Sequence, residues 1–328
     1  MNNTYTFNDV LIRPTYSEVS TRKDVDLTSD FGCFKLALPI ISANMKHITG
    51  PSMAIEMSLN GGMGILHRFN TIEQSIEDFK NVQCAGVSIG VQEEDKKRFH
   101  ALYEIGARIF CIDVANGYCK KVKDMLHWLS VVKDIYIIAG NIATPEAAID
   151  LSFWGAHAIK IGIGPGSMCQ TRKNTGVGVP QLYALQTCYD ELKNRGYKTK
   201  IIADGGIKSV GDVAKAMKYA DATMIGSFIS GTTECPGDVY KNAHGQYYKV
   251  YAGSASGENK TSNGQPADFV EGMVAEVPFR GHVKYILKEI REGLQSAFSY
   301  VGATNLQEFK TKCTFNFISG SGRTESKI

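Results

Sequence analysis

Short apolar runs recur along the chain and predict eight β-strands. The runs are almost continuously apolar, as is typical of parallel strands that are covered on both faces. They lie at residues 37–45, 62–69, 86–91, 108–115, 135–142, 156–163, 200–205 and 222–227.

Helices are predicted between many of these runs. One spans 144–154, where Thr144 can cap the first turn and Pro145 takes the first helical position. Others span 180–194, closed by Gly196, and 209–219. Strands that alternate with helices in this way predict an α/β fold, the (β/α)8 or TIM barrel, as one domain over residues 1–328.

A long insertion follows the eighth run. Residues 231–270 break the alternation, and their second half is rich in Ser, Gly and Asn. Because an apolar helix at 282–300 follows, we expect a mobile flap on the barrel rather than a linker. The Ser- and Gly-rich tail, residues 319–328, is expected to fray.

The composition narrows the class of protein. The 328 residues are 43% hydrophobic and 21% charged with a net charge of +3, which indicates a globular protein without a nucleic-acid surface. We find neither a membrane-spanning stretch nor a secretory signal pattern. The eight cysteines form no C-x-x-C pair, which favours a reduced, cytoplasmic protein. Cys84, Cys111 and Cys188 lie in apolar or helical stretches and are expected to be buried.

Polar residues and glycines follow several strands, at the end where a barrel carries its active site. Gly205-Gly206 and Gly226-Ser227 follow the seventh and eighth strands, where barrels often bind phosphate. Asp204 is suited to accept hydrogen bonds from ribose hydroxyls. The alternative is that Asp204 has only a structural role as a cap. Asp113 and Asn116 end the fourth run, where they could position an amide such as nicotinamide or only stabilise a turn.

The loop 162–172 joins a glycine-rich turn to a cysteine. Its glycines let backbone N–H groups approach a ligand, and a hydroxyl and a thiol follow them. These residues are Gly162, Gly164, Gly166, Ser167 and Cys169. Cys169 is therefore a candidate nucleophile, and a cysteine that merely packs in the interior is the alternative.

A partner for the cysteine is harder to find. None of the seven histidines lies in a recognisable Cys–His signature, which argues against protease-type chemistry. Glu271, just after the flap, is a candidate acid or base, with a solvated loop glutamate as the alternative. Thr171 and Arg172 are either part of the chemistry or loop residues that hold local hydrogen bonds.

Together these motifs resemble the IMP dehydrogenase/GMP reductase family, from about Tyr5 to about Phe317. The resemblance is carried by residues 7–14, 43–45, 162–172, 175–181, 203–206 and 271–272. It implies a (β/α)8 barrel, usually a homotetramer, whose loop cysteine forms a covalent thioimidate with C2 of a purine nucleotide. That cysteine is Cys169 here.

The family has two branches, and the chain resembles the reductase branch. Dehydrogenases oxidise IMP with NAD, usually carry inserted CBS modules and activate water with an Arg–Tyr pair on the flap. Residues 253–270 contain neither arginine nor tyrosine, and the second and third runs are too close for an insertion. Residues 113–118, 231–235, 277–281 and 299–303 resemble the reductases. This implies reductive deamination of GMP to IMP and ammonia with NADPH, with NADH as the alternative cofactor.

The resemblance also assigns roles within the chain. Thr171 and Glu271 would handle the proton that the departing ammonia needs. The nucleotide would be bound by Ser167, Asp204, Gly205, Gly206, Gly226, Ser227, Tyr251 and Gly272. The cofactor would be bound by Asp113, Ala115, Asn116 and Gly162. A monovalent cation such as K⁺ at the carbonyl groups of Gly164, Gly166 and Cys169 is a further expectation.

Three positions depart from the family pattern. Lys46 replaces a common Asp, Gln170 replaces a common Thr, and Asp268 stands where reductase relatives have an arginine that contacts the base. An ionised carboxylate cannot donate to the purine O6, so backbone groups would have to contact the base. The other readings are a dehydrogenase without CBS modules, a catalytically silent nucleotide-binding relative and an FMN-dependent barrel enzyme.

Overall fold

Fifteen strands appear in the computed structural model, which describes residues 4–82, 84–253 and 272–326. In chain order they are β1 (Val10–Ile12), β2 (Ser29–Asp30), β3 (Lys35–Leu36), β4 (Ile40–Ser42), β5 (Met63–Leu66), β6 (Gly86–Ile89), β7 (Ile109–Asp113), β8 (Tyr136–Ile142), β9 (Ala158–Ile161), β10 (Lys200–Asp204), β11 (Ala222–Ile225), β12 (Tyr240–Lys241), β13 (Tyr247–Ala252), β14 (Val274–Pro278) and β15 (Phe315–Phe317).

Strands β4 to β11 form a closed parallel barrel. Each lies beside its neighbour in sequence, and β11 pairs with β4, with Thr223 opposite Ile40, to complete the ring. Short strands such as β5 and β6 are buried at every position, because the interior covers one face and helices cover the other. All eight predicted strands and the TIM-barrel fold are confirmed.

Helices surround the barrel. In chain order they are α1 (Pro51–Leu59), α2 (Ile72–Val82), α3 (Glu93–Glu104), α4 (Lys120–Leu129), α5 (Pro145–Phe153), α6 (Thr171–Thr175), α7 (Gln181–Asn194), α8 (Val210–Met217), α9 (Val283–Tyr300), α10 (Leu306–Lys312) and α11 (Gly320–Glu325). Thr144 caps α5 by accepting from the Ala147 N–H, and Ser209 forms a capping box with Asp212 at α8. The predicted starts of these helices are confirmed.

Part of the predicted flap is a regular sheet. Strands β12, β13 and β14 pair antiparallel, with Tyr251 opposite Ala275. Lys249 of β13 is buried, and its ammonium donates to the carbonyls of Thr233 (3.2 Å) and Cys235 (2.6 Å). These bonds attach β13 to the segment that follows the barrel. The polar half of the flap, residues 254–271, lies outside the described residues.

Part of the tail is helical. Residues 320–325 form α11, where Ser319 caps the helix and the Arg323 guanidinium pairs with Asp9 at 2.5 Å. Strand β15, just before the tail, also pairs antiparallel with β1 near the N-terminus. These two contacts tie the ends of the described chain together.

The cysteines are all free, as expected for a reduced protein. Cys111 and Cys188 are buried as predicted. The prediction for Cys84 was wrong: it lies just beyond the end of α2 at the surface, with its thiol 3.3 Å from the Ser58 hydroxyl. The position of Cys84 at the end of an amphipathic helix did not indicate whether its thiol would face the interior or the solvent.

Candidate active site

The loop after β9 holds the predicted nucleophile at the carboxyl end of the barrel. Cys169 is exposed, and its thiol lies 3.1 Å from the Thr171 hydroxyl. The Cys169 N–H donates to the Gly166 carbonyl at 3.0 Å, which closes the turn before the thiol. The geometry thus presents a reachable sulfur beside a hydroxyl that can donate or accept a proton.

The position of the Arg172 side chain accounts for the glycines at two positions in this region. Its guanidinium donates to the carbonyls of Ile163 and Val179, and so connects both ends of the loop and α6 segment. A Cβ on Gly164 would lie 2.5 Å from Arg172 Cγ, and one on Gly178 would lie 2.7 Å from it. Both glycines also have positive φ, so only glycine fits this close approach.

The flap sheet holds the cysteine loop from the other side. The Met273 N–H donates to the Met168 carbonyl at 3.0 Å, and Gly272 forms an antiparallel bridge with Cys169. Gly253, at the other end of the flap, donates to the Met273 carbonyl at 2.8 Å. Glu271 lies outside the described residues, but its neighbour Gly272 is therefore paired directly with Cys169.

Four of the residues predicted to bind phosphate lie close together. The Tyr251 hydroxyl lies 3.7 Å from Met45 Sδ, and the Ser167 side chain lies near enough to lower the pKa of Tyr251. The hydroxyl lies 3.1 Å from where a Cβ on Gly226 would be, and a Cβ on Gly205 would lie 3.2 Å from the Gly166 nitrogen. Burial has the larger effect and raises the pKa of Tyr251, so its hydroxyl stays protonated and can donate to an anion.

Gly206 and Ser227 extend this group of residues, which we call the hollow. A Cβ on Gly206 would meet the Pro165 side chain at 3.1 Å, so the loops after β9 and β10 touch. Ser227 follows Gly226 after β11, is partly exposed, and uses its carbonyl to accept from the Ser230 hydroxyl at 2.8 Å. The loops after three successive strands therefore meet and bring hydroxyl-bearing residues and glycines side by side, which suits a phosphate.

A buried lysine lies beneath the predicted ribose and cofactor carboxylates. Lys160 of β9 is 1% exposed, and its ammonium lies 3.0 Å from Asp113 Oδ1 and 3.4 Å from Asp204 Oδ2. Asn141 donates to Asp204 Oδ2 at 2.9 Å. Burial raises the pKa of Asp113, but the charges of Lys160 and Arg68 outweigh burial and hold the pKa below its usual range. Asp113 is therefore an ionised acceptor at neutral pH.

The predicted cofactor loop follows β7 directly. Ala115 and Asn116 are exposed, while the Gly117 N–H donates to the Asn141 carbonyl at 2.7 Å. The Asn116 side chain accepts from the Tyr118 N–H at 3.1 Å, so it also stabilises the turn.

Gly162, the remaining predicted cofactor residue, lies deeper than this loop. It is buried, and a Cβ there would be 1.9 Å from the Asp204 carbonyl oxygen. Its observed contacts join the ends of β9 and β10, so close packing alone accounts for the glycine.

Sequence reasoning missed three residues that support the site. Lys160 and Asn141 received no role, and Gln181 was noted only as part of a motif. Gln181 is buried, and its amide donates to the carbonyls of Ile161 (2.7 Å) and Asp204 (3.2 Å). The available signal was a polar side chain in an otherwise apolar segment. Such a side chain is buried when the barrel closes, and a buried polar group indicates a hydrogen-bond partner in the interior.

Two classes of feature are not found among the described residues. No helix there combines the length and apolar character needed to cross a membrane. Within the same ranges, no three His, Cys, Asp or Glu side chains gather as a metal-binding group would require. This second finding does not bear on the cation expected at backbone carbonyls.

Comparisons with known proteins show the family of the chain. The model of the IMP dehydrogenase / GMP reductase domain matches residues 4–328. A protein named GMP reductase from Leptothrix cholodnii is 36% identical over 314 residues, 93% of this chain and 94% of that one. GMP reductase 2 from Mus musculus is 35% identical over 330 residues, 94% of this chain and 92% of that one.

A solved structure extends the likeness to three dimensions. The crystal structure of a GMP reductase variant from Trypanosoma brucei in complex with guanosine 5'-monophosphate matches with a TM-score of 0.92 and 26% identity. The match covers 99% of this chain and 98% of that one.

The fold and the comparisons together define a (β/α)8-barrel oxidoreductase that acts on a small molecule with a nicotinamide cofactor. The chain belongs to the IMP dehydrogenase/GMP reductase family.

Proposed function

We propose that this protein converts GMP to IMP and ammonia with NADPH. The observation that carries the proposal is the exposed Cys169 thiol, 3.1 Å from Thr171 and bridged to Gly272 beside the phosphate-binding hollow. The relatives named GMP reductase support this reaction over IMP oxidation. The absence of arginine and tyrosine from residues 253–270 supports it as well.

The hollow and Asp204 orient the nucleotide. The phosphate accepts from Ser167, Tyr251 and the backbone N–H groups at Gly205, while ribose hydroxyls donate to the side chain of Asp204. Binding at these two points directs C2 of the purine towards Cys169.

Cys169 then forms the covalent intermediate. Its sulfur bonds to C2, and the exocyclic amine departs with its bonding electron pair. Because an amide ion is a very poor leaving group, the amine must first take a proton, and Thr171 lies close enough to the sulfur to relay it. Glu271, next to the paired Gly272, is the proposed source of that proton. Proton transfer of this kind typically contributes about 10²–10⁴-fold.

A bound nicotinamide cofactor would supply the hydride that C2 needs, and Cys169 would leave C2 as the thiolate when IMP is released. Asp113, Ala115 and Asn116 would hold the nicotinamide end of the cofactor. The ionised, partly buried carboxylate of Asp113 fits the N–H donors of a carboxamide, and the exposed Ala115 leaves the loop accessible. NADPH rather than NADH is part of the proposal.

Three further proposals rest on the family resemblance. A K⁺ ion would bind carbonyl oxygens of Gly164, Gly166 and Cys169, of which the Gly166 oxygen also accepts from the Cys169 N–H. The protein would act as a homotetramer, and it would reside in the cytoplasm, where its eight free cysteines stay reduced.

The test is GMP-dependent loss of absorbance at the reduced-nicotinamide band. The wild type should consume NADPH, Cys169→Ala should not, and Cys33→Ala should match the wild type because Cys33 is an exposed thiol outside the site. A wild type that is inert towards GMP but reduces NAD with IMP would instead be a dehydrogenase.

A further inference from the structure

Lys160 occupies a position where the strand pattern predicts an apolar side chain. It stands between Ile159 and Ile161 in β9, and its side chain is 2% exposed. The cost of burying an ammonium is large unless charged and polar partners surround it. Lys160 has such partners on three other barrel strands or their ends.

These partners form a socket around the ammonium. It lies 3.0 Å from Asp113, 3.4 Å from Asp204 and 3.5 Å from Asn44 Oδ1. Gly140 on the adjacent strand leaves room for the lysine stem, since a Cβ there would lie 2.6 Å from Lys160 Cβ. The socket is therefore a built feature of the barrel interior.

The two carboxylates of the socket are proposed to serve different ligands. Asp204 is proposed to hold the nucleotide ribose, and Asp113 is proposed to hold the nicotinamide. We propose that Lys160 is a positioning residue that fixes these two carboxylates relative to each other through one ammonium, and so aligns nucleotide and cofactor at Cys169. This inference rests on the proposed function.

Removal of the ammonium has a specific electrostatic consequence. Asp113 is faced by Lys160 from β9, Arg68 after β5, Asp204 from β10 and Cys111 within β7. Without Lys160, Arg68 is the remaining cation among these groups. Less positive charge would then oppose the effect of burial, and the Asp204 carboxylate would repel the Asp113 carboxylate. Both changes raise the pKa of Asp113.

The first test compares Lys160→Met with Lys215→Met. Lys215 is also a buried lysine, but it lies on α8 and donates to the Phe7 carbonyl at 2.9 Å, away from the site. Calorimetric titration with GMP should show at least about tenfold weaker binding for Lys160→Met, as expected when a charged hydrogen-bond partner is lost. Lys215→Met should bind GMP within about twofold of the wild type.

The second readout is the pH dependence of NADPH binding, followed by nicotinamide fluorescence. Wild-type affinity should follow only the titration of the cofactor's own 2′-phosphate, whose second pKa is about 6, because Asp113 remains ionised from pH 8 to pH 5.5. In Lys160→Met the affinity should fall more steeply than in the wild type as pH decreases, because Asp113 takes up a proton at higher pH. A purely structural lysine would weaken binding without this change of profile. Equal pH profiles in the two proteins would overturn the proposal.

A charge-balanced variant covers the case in which Lys160→Met does not fold. Asp113→Asn/Lys160→Met removes one carboxylate together with the ammonium and leaves Asp204 hydrogen-bonded to Asn141. It should fold and bind NADPH no more weakly than Asp113→Asn alone, because both changes remove the same interaction. A large additional loss would contradict the proposal.

The binding measurements also separate two kinds of failure. If the wild type binds GMP without consuming NADPH, the proposed reaction is wrong, while the GMP titrations still test Lys160. If the wild type turns over GMP and Lys160→Met binds both ligands like Lys215→Met, the inference about Lys160 alone is wrong.

Discussion

Replacement of Tyr251 by Phe removes one hydroxyl from the proposed phosphate site and leaves the ring in place. The ring is only 3% exposed, so its packing persists in the variant. The hydroxyl lies 3.7 Å from Met45 Sδ and 3.1 Å from the Cβ position of Gly226, and Ser167 lies near enough to lower its pKa. A hydrogen bond to a charged group is worth about 1.5–3 kcal/mol, which corresponds to about 10- to 150-fold in the dissociation constant.

The assay is calorimetric titration with GMP and, as a matched ligand, guanosine. Tyr251→Phe should weaken GMP binding within that range and leave guanosine binding unchanged, because guanosine carries no phosphate. Tyr136→Phe is the matched protein control, since Tyr136 is a buried strand tyrosine whose hydroxyl lies 3.3 Å from the His157 carbonyl. Equal losses for GMP and guanosine would refute a role of the Tyr251 hydroxyl in phosphate binding.

Two further predictions concern proton handling. Thr171→Val should lower kcat for GMP by about 10²–10⁴-fold with little change in GMP affinity, because the isosteric change removes only the hydroxyl beside Cys169. Steady-state kinetics of Thr187→Val, a substitution in the middle of α7, provide the control. An unchanged kcat for Thr171→Val would show that Thr171 takes no part in the mechanism. Burial, with the charges of Lys46 and His47, lowers the pKa of His67 to about 4 from 6.5. Because the unfolded chain takes up this proton at higher pH than the folded protein, the free energy of unfolding should fall by roughly 2 kcal/mol from pH 7 to pH 5. In urea unfolding, the free energy of unfolding of His67→Gln should fall between pH 7 and pH 5 by that much less than the free energy of the wild type. An equal fall in the two proteins would contradict a buried, neutral His67.

The barrel could be predicted from sequence because its signal is local. Each parallel strand is buried on both faces, so it appears as an apolar run whatever its neighbours are. Thr144 and Ser209 likewise mark helix starts through bonds made within a few residues. The proximity of Cys169 and Thr171 could be predicted for a similar reason, since they belong to one short loop.

The socket around Lys160 could not be predicted in this way. Its partners Asp113, Asn44 and Asp204 are far apart in sequence, and only closure of the barrel brings them to one ammonium. A single lysine within an apolar run does not reveal which strands face it. The same limit applies to α11, where the bond between Arg323 and Asp9 joins opposite ends of the chain.

The sheet formed by β12 to β14 could not be predicted from local sequence patterns either. Its strands pair across the polar segment 254–271, so no contiguous pattern predicts their register. The pairing matters for the site because it brings Gly272 against Cys169.

The central claim is that Cys169 serves reductive deamination of GMP, and the products of two parallel reactions test it most directly. With GMP and NADPH, the protein should yield IMP and ammonia in equal amounts, matched by the NADPH consumed, and Cys169→Ala should yield neither. With IMP and NAD it should form no XMP. Formation of XMP from IMP, without IMP or ammonia from GMP, would contradict the account.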